Sequence, residues 1–467
     1  MVIKMNNKYE IDMCNGNLFW KILKFSIPLA LMGILQLLYN AADLIVVGNF
    51  SGDSSALGAV GSTSALINLI VNLFMGLSVG TNVIVAKLYG SKSYSELSSI
   101  VHTSLLSSLI IGILLGAFGF IFADNLLLLM NNNLELSRVY LKIYFIGMPA
   151  NLLYNFASAI LRAVGDTKRP LYYLTVAGII NIILNLVFVI VFKMSVAGVA
   201  IATIISQLVS CILVMITLYR TKQPYRFRFC ELRIDMKALL EITKIGLPAG
   251  IQSSIFSISN VIIQSSVNLF GSIAMNGNSA AQSIEGFVYT SMNSVYHAAL
   301  AFTSQNHGAK NKKNIKNITI YSLIIVTLIA LIMGVPLFIF GKEVLKIYTT
   351  NPEEINVAYI RLHYLCLPYF LCGIMDVMVG ILRGLGYSTI PMIVSIVGVC
   401  GFRILWIYSV FYQIADFTSY SQLNYLYISY PISWIITFIA HLISYFICSR
   451  KTFKTFDVEK EISNSYN

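Results

Sequence analysis

The sequence predicts an all-α polytopic membrane protein, with twelve transmembrane helices arranged as two parallel six-helix repeats related by a pseudo-twofold axis. Three observations carry that expectation. The 467 residues are 57% hydrophobic and only 11% charged, whereas a soluble domain has about 25% charged residues. The apolar residues gather into twelve runs, each near the ~20 residues that a spanning helix needs. Short motifs recur between the two halves at a nearly constant offset. The runs are too continuous for β-barrel strands of about 9–11 residues.

Taken in order, the N-terminal half supplies runs at 22–47, 57–86, 98–123, 139–161, 171–192 and 196–219. The first 17 residues are polar and lack an apolar core, so no cleavable signal is expected. The C-terminal half supplies runs at 245–270, 279–306, 318–340, 359–382, 390–412 and 426–448. The expected domains are an N-lobe at 1–219, a polar and basic linker at 220–244, and a C-lobe at 245–467. The seven cysteines show no CxxC or zinc spacing and read as small apolar residues.

The formal charge of +12 could suggest nucleic acid, but its distribution says otherwise. With a cytoplasmic N-terminus and twelve alternating spans, 25 Lys and Arg fall in cytoplasmic segments, Lys4 and Lys8 among them. Only 6 fall on the outer side (Arg138, Lys142, Lys193, Lys342, Lys346, Arg361), and Arg403 alone lies deep within a span. That asymmetry is the positive-inside rule. It places both termini in the cytoplasm and the chain in the cell membrane, with lipid as its surroundings, no nucleic-acid partner and a monomeric state expected.

The repeat has three anchors. Lys24-Phe-Ser-Ile-Pro28 returns as Lys244-Ile-Gly-Leu-Pro248, and in that alignment Asn40 meets Asn260. Ala86-Lys-Leu-Tyr-Gly90-Ser-Lys92 returns as Ser304-Gln-Asn-His-Gly308-Ala-Lys310. Leu161-Arg-Ala-Val-Gly165 with Pro170 returns as Leu382-Arg-Gly-Leu-Gly386 with Pro391. The offsets are 220, 218 and 221. In the third anchor the arginine suits a helix C-terminus and the glycine a C′ cap. Six spans per half is an even number, so both halves enter the membrane in one orientation. Transporters place such repeats around a central cavity and rock one half against the other.

Three acids fall within spans: Asp43, Glu285 and Asp376. Asp43 is the only formal charge between Lys24 and Asp53. A carboxylate in a span costs roughly 2.5–3.5 kcal/mol on insertion scales, so its default reading is cation or proton handling. Asn181 and Asn185 are four apart on one face of span 5, and Thr203 lies in span 6. With Asp43 they make an oxygen-rich set suited to Na⁺ or to a protonatable network. Asn181 and Asn185 could equally serve interhelical packing. Glu285 sits early in span 8, either solvated near the outer interface or buried. Arg403 could pair with Asp376 or with Glu285, leaving the other acid for a cationic substrate. Gln36, Tyr39, Asn40, Asn260, Gln264 and Gln282 interleave with apolar residues and suit a water-filled substrate cavity, or packing. No P-loop, GxSxG, HExxH or Cys/His cluster is present, so no enzyme and no bound cofactor is expected.

Pro28 with QLLYNAADLIVVGNFSG, then LGAVG and FMGLSVGTNVIVAKLYG, resembles the first two spans of the MATE (multidrug and toxic compound extrusion) transporters. FTSQNHGAKNKKN resembles the end of that family's span 8, and the two LRxxG…P segments its repeated cytoplasmic motif. The resemblance covers about residues 20–450. It implies efflux of organic, often cationic, drugs by antiport against H⁺ or Na⁺, and two lobes with a cavity between them. It implies a cation site made of an acid on span 1, an Asn and a second acid on span 5, and a Thr on span 6. Asp43, Asn181 and Thr203 match, while the second acid is Asn185 here. The missing charge leaves Asp43 as the lone protonation switch and tilts the expectation toward H⁺. With Na⁺ as the coupling ion, Asp43, Asn181, Asn185 and Thr203 would be its ligands. The alternative is a flippase of lipid-linked oligosaccharide or lipid II, against which twelve spans and a single deep arginine argue.

Overall fold

The computed structural model describes residues 9–51, 56–129 and 135–465, and every regular element among them is helical. Lys4, Lys8, Gly52 and Asp53 lie outside the described residues. The helices are α1 (Leu18–Phe50), α2 (Ala56–Ser91), α3 (Tyr94–Leu129), α4 (Glu135–Ile146), α5 (Met148–Ala163), α6 (Lys168–Val191) and α7 (Ser195–Arg220). They continue as α8 (Met236–Asn268), α9 (Ser272–Gly308), α10 (Lys312–Leu345), α11 (Pro352–Leu365), α12 (Tyr369–Gly384), α13 (Thr389–Ile414), α14 (Leu423–Tyr427) and α15 (Ser429–Ser465). In hydrocarbon each backbone N–H and C=O needs an internal partner, and only helices and closed barrels supply them all.

Among the described residues nine helices are long and apolar enough to cross a membrane, or eleven if each of two bent pairs is one span. The first pair is α4 with α5, bent by 48°, and the second is α11 with α12, bent by 53°. Both bends sit at a proline, Pro149 and Pro368, which breaks the helical ladder. These prolines occupy the fourth span of each half and add an anchor to the repeat. The twelfth helix, α9, is too polar to qualify by composition. It carries Asn278, Gln282, Glu285, Gln305 and Asn306, and most of its residues are buried by its neighbours. The twelve-span fold is therefore present, with one span recognisable by packing rather than by hydropathy.

The chain forms two compact units, one of residues Met1–Asp12 and Leu31–Gly250, the other of Met13–Ala30 and Ile251–Asn467. Helices α1 and α8 each contribute to both, and each changes unit two residues after its internal proline, Pro28 or Pro248. In the first unit a Cβ on Gly76 would lie 2.1 Å from the Gly250 nitrogen, and one on Gly80 2.3 Å from the Ile242 carbonyl oxygen. Helix α2 and the start of α8 thus pack backbone to backbone, as small residues allow in membranes. The linker is docked on this unit. Tyr225 is fully buried and donates to Glu10 at 2.6 Å, the Arg228 amide donates to His102 at 3.0 Å, and Ser99 donates to Asp235 at 2.8 Å.

The LRxxG motifs end α5 and α12 as expected from their glycines. Gly165 has φ +99° and Gly386 φ +90°. The Asp166 amide donates to the Leu161 carbonyl at 2.9 Å and the Tyr387 amide to the Leu382 carbonyl at 3.0 Å. Both are Schellman closures, in which the residue after the left-handed glycine returns its N–H to the last helical turn.

Candidate functional site

In the first unit, Asp43 on α1, Asn181 and Asn185 on α6, and Thr203 on α7 come together. Asn185 Nδ2 donates to Asp43 Oδ1 at 2.5 Å and to Asn181 Oδ1 at 3.2 Å. Asn181 Nδ2 donates to Thr203 Oγ1 at 3.5 Å, and Thr203 donates to its own helix at Val199 O, 2.9 Å away. Asp43 is 9% exposed, Asn181 4% and Asn185 0%. Beside them is an apolar core that includes Val46, Val47, Val189, Val196 and Val199. A carboxylate there is held out of water by packing and is approached by amides rather than by a cation. No ion pair to Asp43 exists among the described residues.

Asn185 Oδ1 is buried without a hydrogen-bond partner. A carbonyl oxygen in that state costs free energy unless something supplies positive charge. The donor set of one carboxylate, two amide oxygens and one hydroxyl is hard oxygen chemistry, which fits a small hard cation. It equally fits a proton taken up by the Asp43 carboxylate.

Of the remaining α1 candidates, Tyr39 lies against Gly178 of α6, where a Cβ would strike its ring. Gln36 and Asn40 are exposed on α1. The three belong to the first unit, and the cavity described next is internal to the second.

That cavity, of about 310 Å³, is lined by Asn260, Gln282, Glu285, Asp376 and Arg403 among the residues expected to bind substrate. Gln264 is linked to it rather than lining it. Its Oε1 accepts from Asn278 at 2.7 Å and from Gln282 at 3.3 Å. The aromatic walls include Tyr369 and Trp434, in edge contact at 5.4 Å. This is the usual make-up of a small-molecule site, apolar surfaces with a few convergent polar groups.

The charge pairing differs from the sequence expectation. Glu285 is not solvated but 5% exposed, and its partner is Arg361, not Arg403. Arg361 Nε donates to Glu285 Oε1 at 2.9 Å and Nη2 to Oε2 at 2.8 Å, a two-pronged pair. Its Nη1 donates to Asn278 Oδ1 at 2.9 Å, which also accepts from Tyr427 at 2.9 Å. Arg403 pairs with neither acid. Its Nε donates to Ser433 Oγ at 3.0 Å, and its guanidinium lies 3.9 Å over the Tyr430 ring. Asp376 lines the cavity together with Tyr289. Nor is Arg403 the only deep base, because Arg361 and Arg383 are 4% and 5% exposed. Arg383 donates to Tyr296 at 2.6 Å and to Gln252 at 2.8 Å.

Arg361 escaped sequence reasoning because it stands two residues into run 359–382, where a straight helix would put it at the membrane edge. The bend at Pro368 turns its half-helix into the unit. The proline seven residues downstream, within Leu365-Cys-Leu-Pro368, was the available signal.

A twelve-span helical membrane protein, built as a repeat and holding a buried carboxylate in one half and a charged cavity in the other, is the class that fold and site define. The MatE family profile matches residues 28–187 and 248–409, one stretch in each half. The chain belongs to the MatE family. It is 26% identical over 425 residues to the "Probable multidrug resistance protein YoeA" of Bacillus subtilis, covering 88% of this chain and 90% of that one. It is 23% identical to the "Probable multidrug resistance protein NorM" of Thermotoga maritima, covering 81% and 82%. It is 25% identical to an "FAD transporter" of Shewanella oneidensis, covering 74% and 77%. Among solved structures, an outward-facing multidrug resistance MATE family transporter superposes with TM-score 0.83 at 21% identity, covering 95% of this chain and 98% of that one. A MATE transporter in complex with MaL6 gives TM-score 0.85 at 21% identity, with the same coverage.

Proposed function

We propose that this chain exports drug-like organic compounds, cations among them, across the cell membrane by antiport against H⁺ or Na⁺, with both termini in the cytoplasm. The observation that carries the reading is the bond from Asn185 to Asp43 in a dry setting, continued through Asn181 to Thr203. A carboxylate without a cation beside it is the group in this unit whose charge a passing ion can neutralise. Neutralising it weakens the charge-assisted bond that holds Asn185, and the contacts joining α1, α6 and α7 then re-form differently. That repacking is the step that would couple the ion to exposure of the substrate cavity. One charge moving through the membrane potential supplies about 2.3 kcal/mol per 100 mV.

The names of relatives support drug export, although one is an FAD transporter, so the substrate class is not common to all of them. The flippase alternative is not favoured. A single deep arginine does not argue against it, since three are buried among the described residues; the family match and the names of the relatives do.

The test is ethidium efflux in everted vesicles carrying the wild-type chain, with a pH gradient or a Na⁺ gradient imposed separately. Efflux under the pH gradient alone assigns the proton. Efflux that needs Na⁺ assigns the four oxygen donors as its ligands. No efflux under either gradient overturns the antiport reading.

A further inference from the structure

The interior of the second unit holds more permanent positive charge than negative. Arg361, Arg383 and Arg403 are all buried, at 4%, 5% and 6% exposure. Against these three guanidiniums stand two carboxylates, Glu285, which is buried, and Asp376, which lines the cavity. Glu285 is consumed by Arg361 in a two-pronged pair. Arg383 lies in the last turn of α12, where the helix C-terminus favours a cation. It also exerts its field on Asp376. Arg403 is left with no ion pair among the described residues, and its Nη2 is buried without a hydrogen-bond partner.

A carboxyl group can shed a costly buried charge by taking a proton. A guanidinium cannot be deprotonated in a protein. Water can satisfy an N–H but does not neutralise the charge. The face of Tyr430, 3.9 Å from the guanidinium, offsets part of it by cation–π attraction. Trp434 adds a weaker contact at 5.7 Å. Arg403 is also held in place. It stands between two π-helical segments of α13, Ile396–Gly401 and Ile407–Phe411, and its Nε is fixed by Ser433. π segments of this kind concentrate at functional sites.

We propose that Arg403 is an anion-binding residue, and that the cavity of the second unit takes a carboxylate or phosphate group joined to an aromatic skeleton. The guanidinium receives the anionic oxygens, as arginine does for both groups. Tyr369, Trp434 and Phe256 receive the ring. The inference rests on the reading that this chain binds small organic molecules, but not on Asp43 or on any gradient, so an equilibrium binding test separates its failure from failure of the antiport.

The experiment uses the full chain purified in detergent, with Trp20 and Trp406 replaced by Phe so that Trp434 alone reports. The probes are 4-nitrobenzoate, 4-nitrophenyl phosphate and the matched cation 4-nitrobenzylamine, each titrated for saturable quenching. Both anions are expected to quench and the amine to bind more weakly. Arg403→Gln is expected to weaken the anions by about tenfold or more, the size of one hydrogen bond to a charged group. Asp376→Asn removes a negative charge from the same cavity and is expected to tighten them. Inorganic phosphate as competitor distinguishes the source: displacement of both probes identifies a free anion as a sufficient occupant, and no displacement identifies an organic one. Amine binding as tight as that of the anions overturns the proposal, and so does quenching that Arg403→Gln leaves unchanged. If Arg403→Gln does not fold, the Asp376→Asn variant decides, and anion binding that fails to tighten there overturns the proposal.

Discussion

Asn185 donates to Asp43 across 2.5 Å, from a helix 142 residues further along the chain. The pair joins α6 to α1 with an amide where the resembling family has a second acid. An amide can satisfy a carboxylate without neutralising it, so the negative charge stays available to an ion. Asp43→Asn keeps the shape and the hydrogen-bonding capacity but removes the charge. Efflux by that variant is expected to fall to the level of empty vesicles, with membrane insertion and thermal stability near wild type. Unimpaired efflux would sink the assignment of Asp43. Asn185→Asp places a second carboxylate in the set and is expected to increase the stimulation of efflux by Na⁺, read in the same vesicles.

Glu285 and Arg361 form a buried pair whose members depend on each other. Removing one partner strands the other charge, at a cost of about 3–5 kcal/mol. Arg361 also donates to Asn278, so its loss removes one bond from that side chain, which keeps those to Tyr427 and Gln264. Glu285→Gln is expected to lower the thermal midpoint in detergent markedly. The double variant Glu285→Gln with Arg361→Met removes both charges and is expected to recover part of that loss. A double variant less stable than the sum of the singles would show that the pair is not the source of the coupling.

The repeat and eleven of the twelve spans were legible because hydropathy and motif spacing report on every residue of a helix at once. Asp43, Asn181, Asn185 and Thr203 were legible as a group because α-helical spacing sets Asn181 and Asn185 on one face and the acid stands alone in its run. Other features depend on where a helix bends or packs. Arg361 reads as an edge residue until the 53° bend turns α11 inward. Helix α9, the run at 279–306, is too polar to qualify by composition because its polar side chains answer one another inside the bundle, as Asn278 answers Arg361. Arg403 reads as a natural partner for an acid, and only the placement of Arg361 shows that Glu285 is already taken.

The contact of Gly76 with Gly250 makes the sign of a small substitution depend on position. A Cβ at Gly76 would meet backbone at 2.1 Å, which cannot yield as a side chain can. Gly76→Ala is expected to destabilise by about 1–3 kcal/mol or to prevent folding. At Gly58 of the same helix an added Cβ meets nothing within 4 Å. Gly58→Ala is expected to stabilise by roughly 0.5–1 kcal/mol through helix propensity. Thermal unfolding of the two variants side by side checks the contrast, and equal effects would mean that α2 and α8 are not in backbone contact.

Docking of the linker is expected to weaken in acid. Asp235 stands outside the spans, and its carboxyl is held below the usual range, first by the Ser99 hydroxyl and then by the backbone N–H groups of Ala238 and Lys237. A lowered folded value means that the charged form is the one the folded state prefers. The stabilisation is therefore fully present above the unfolded value of about 3.9 and is lost as pH falls through the lower folded one. Hydrogen–deuterium exchange of the segment 225–238, corrected for intrinsic rate, is expected to rise relative to the rest of the first unit between pH 5 and about pH 3. The carboxylate also accepts the first free amides of α8, so the N-terminal turn of that helix should loosen with the linker. Asp235→Asn removes the titration, and its exchange should show no such relative rise across the same interval. A rise of equal size in that variant would assign the acid response to another group, such as Glu231, which the Ser98 hydroxyl and Arg228 hold low in the same linker.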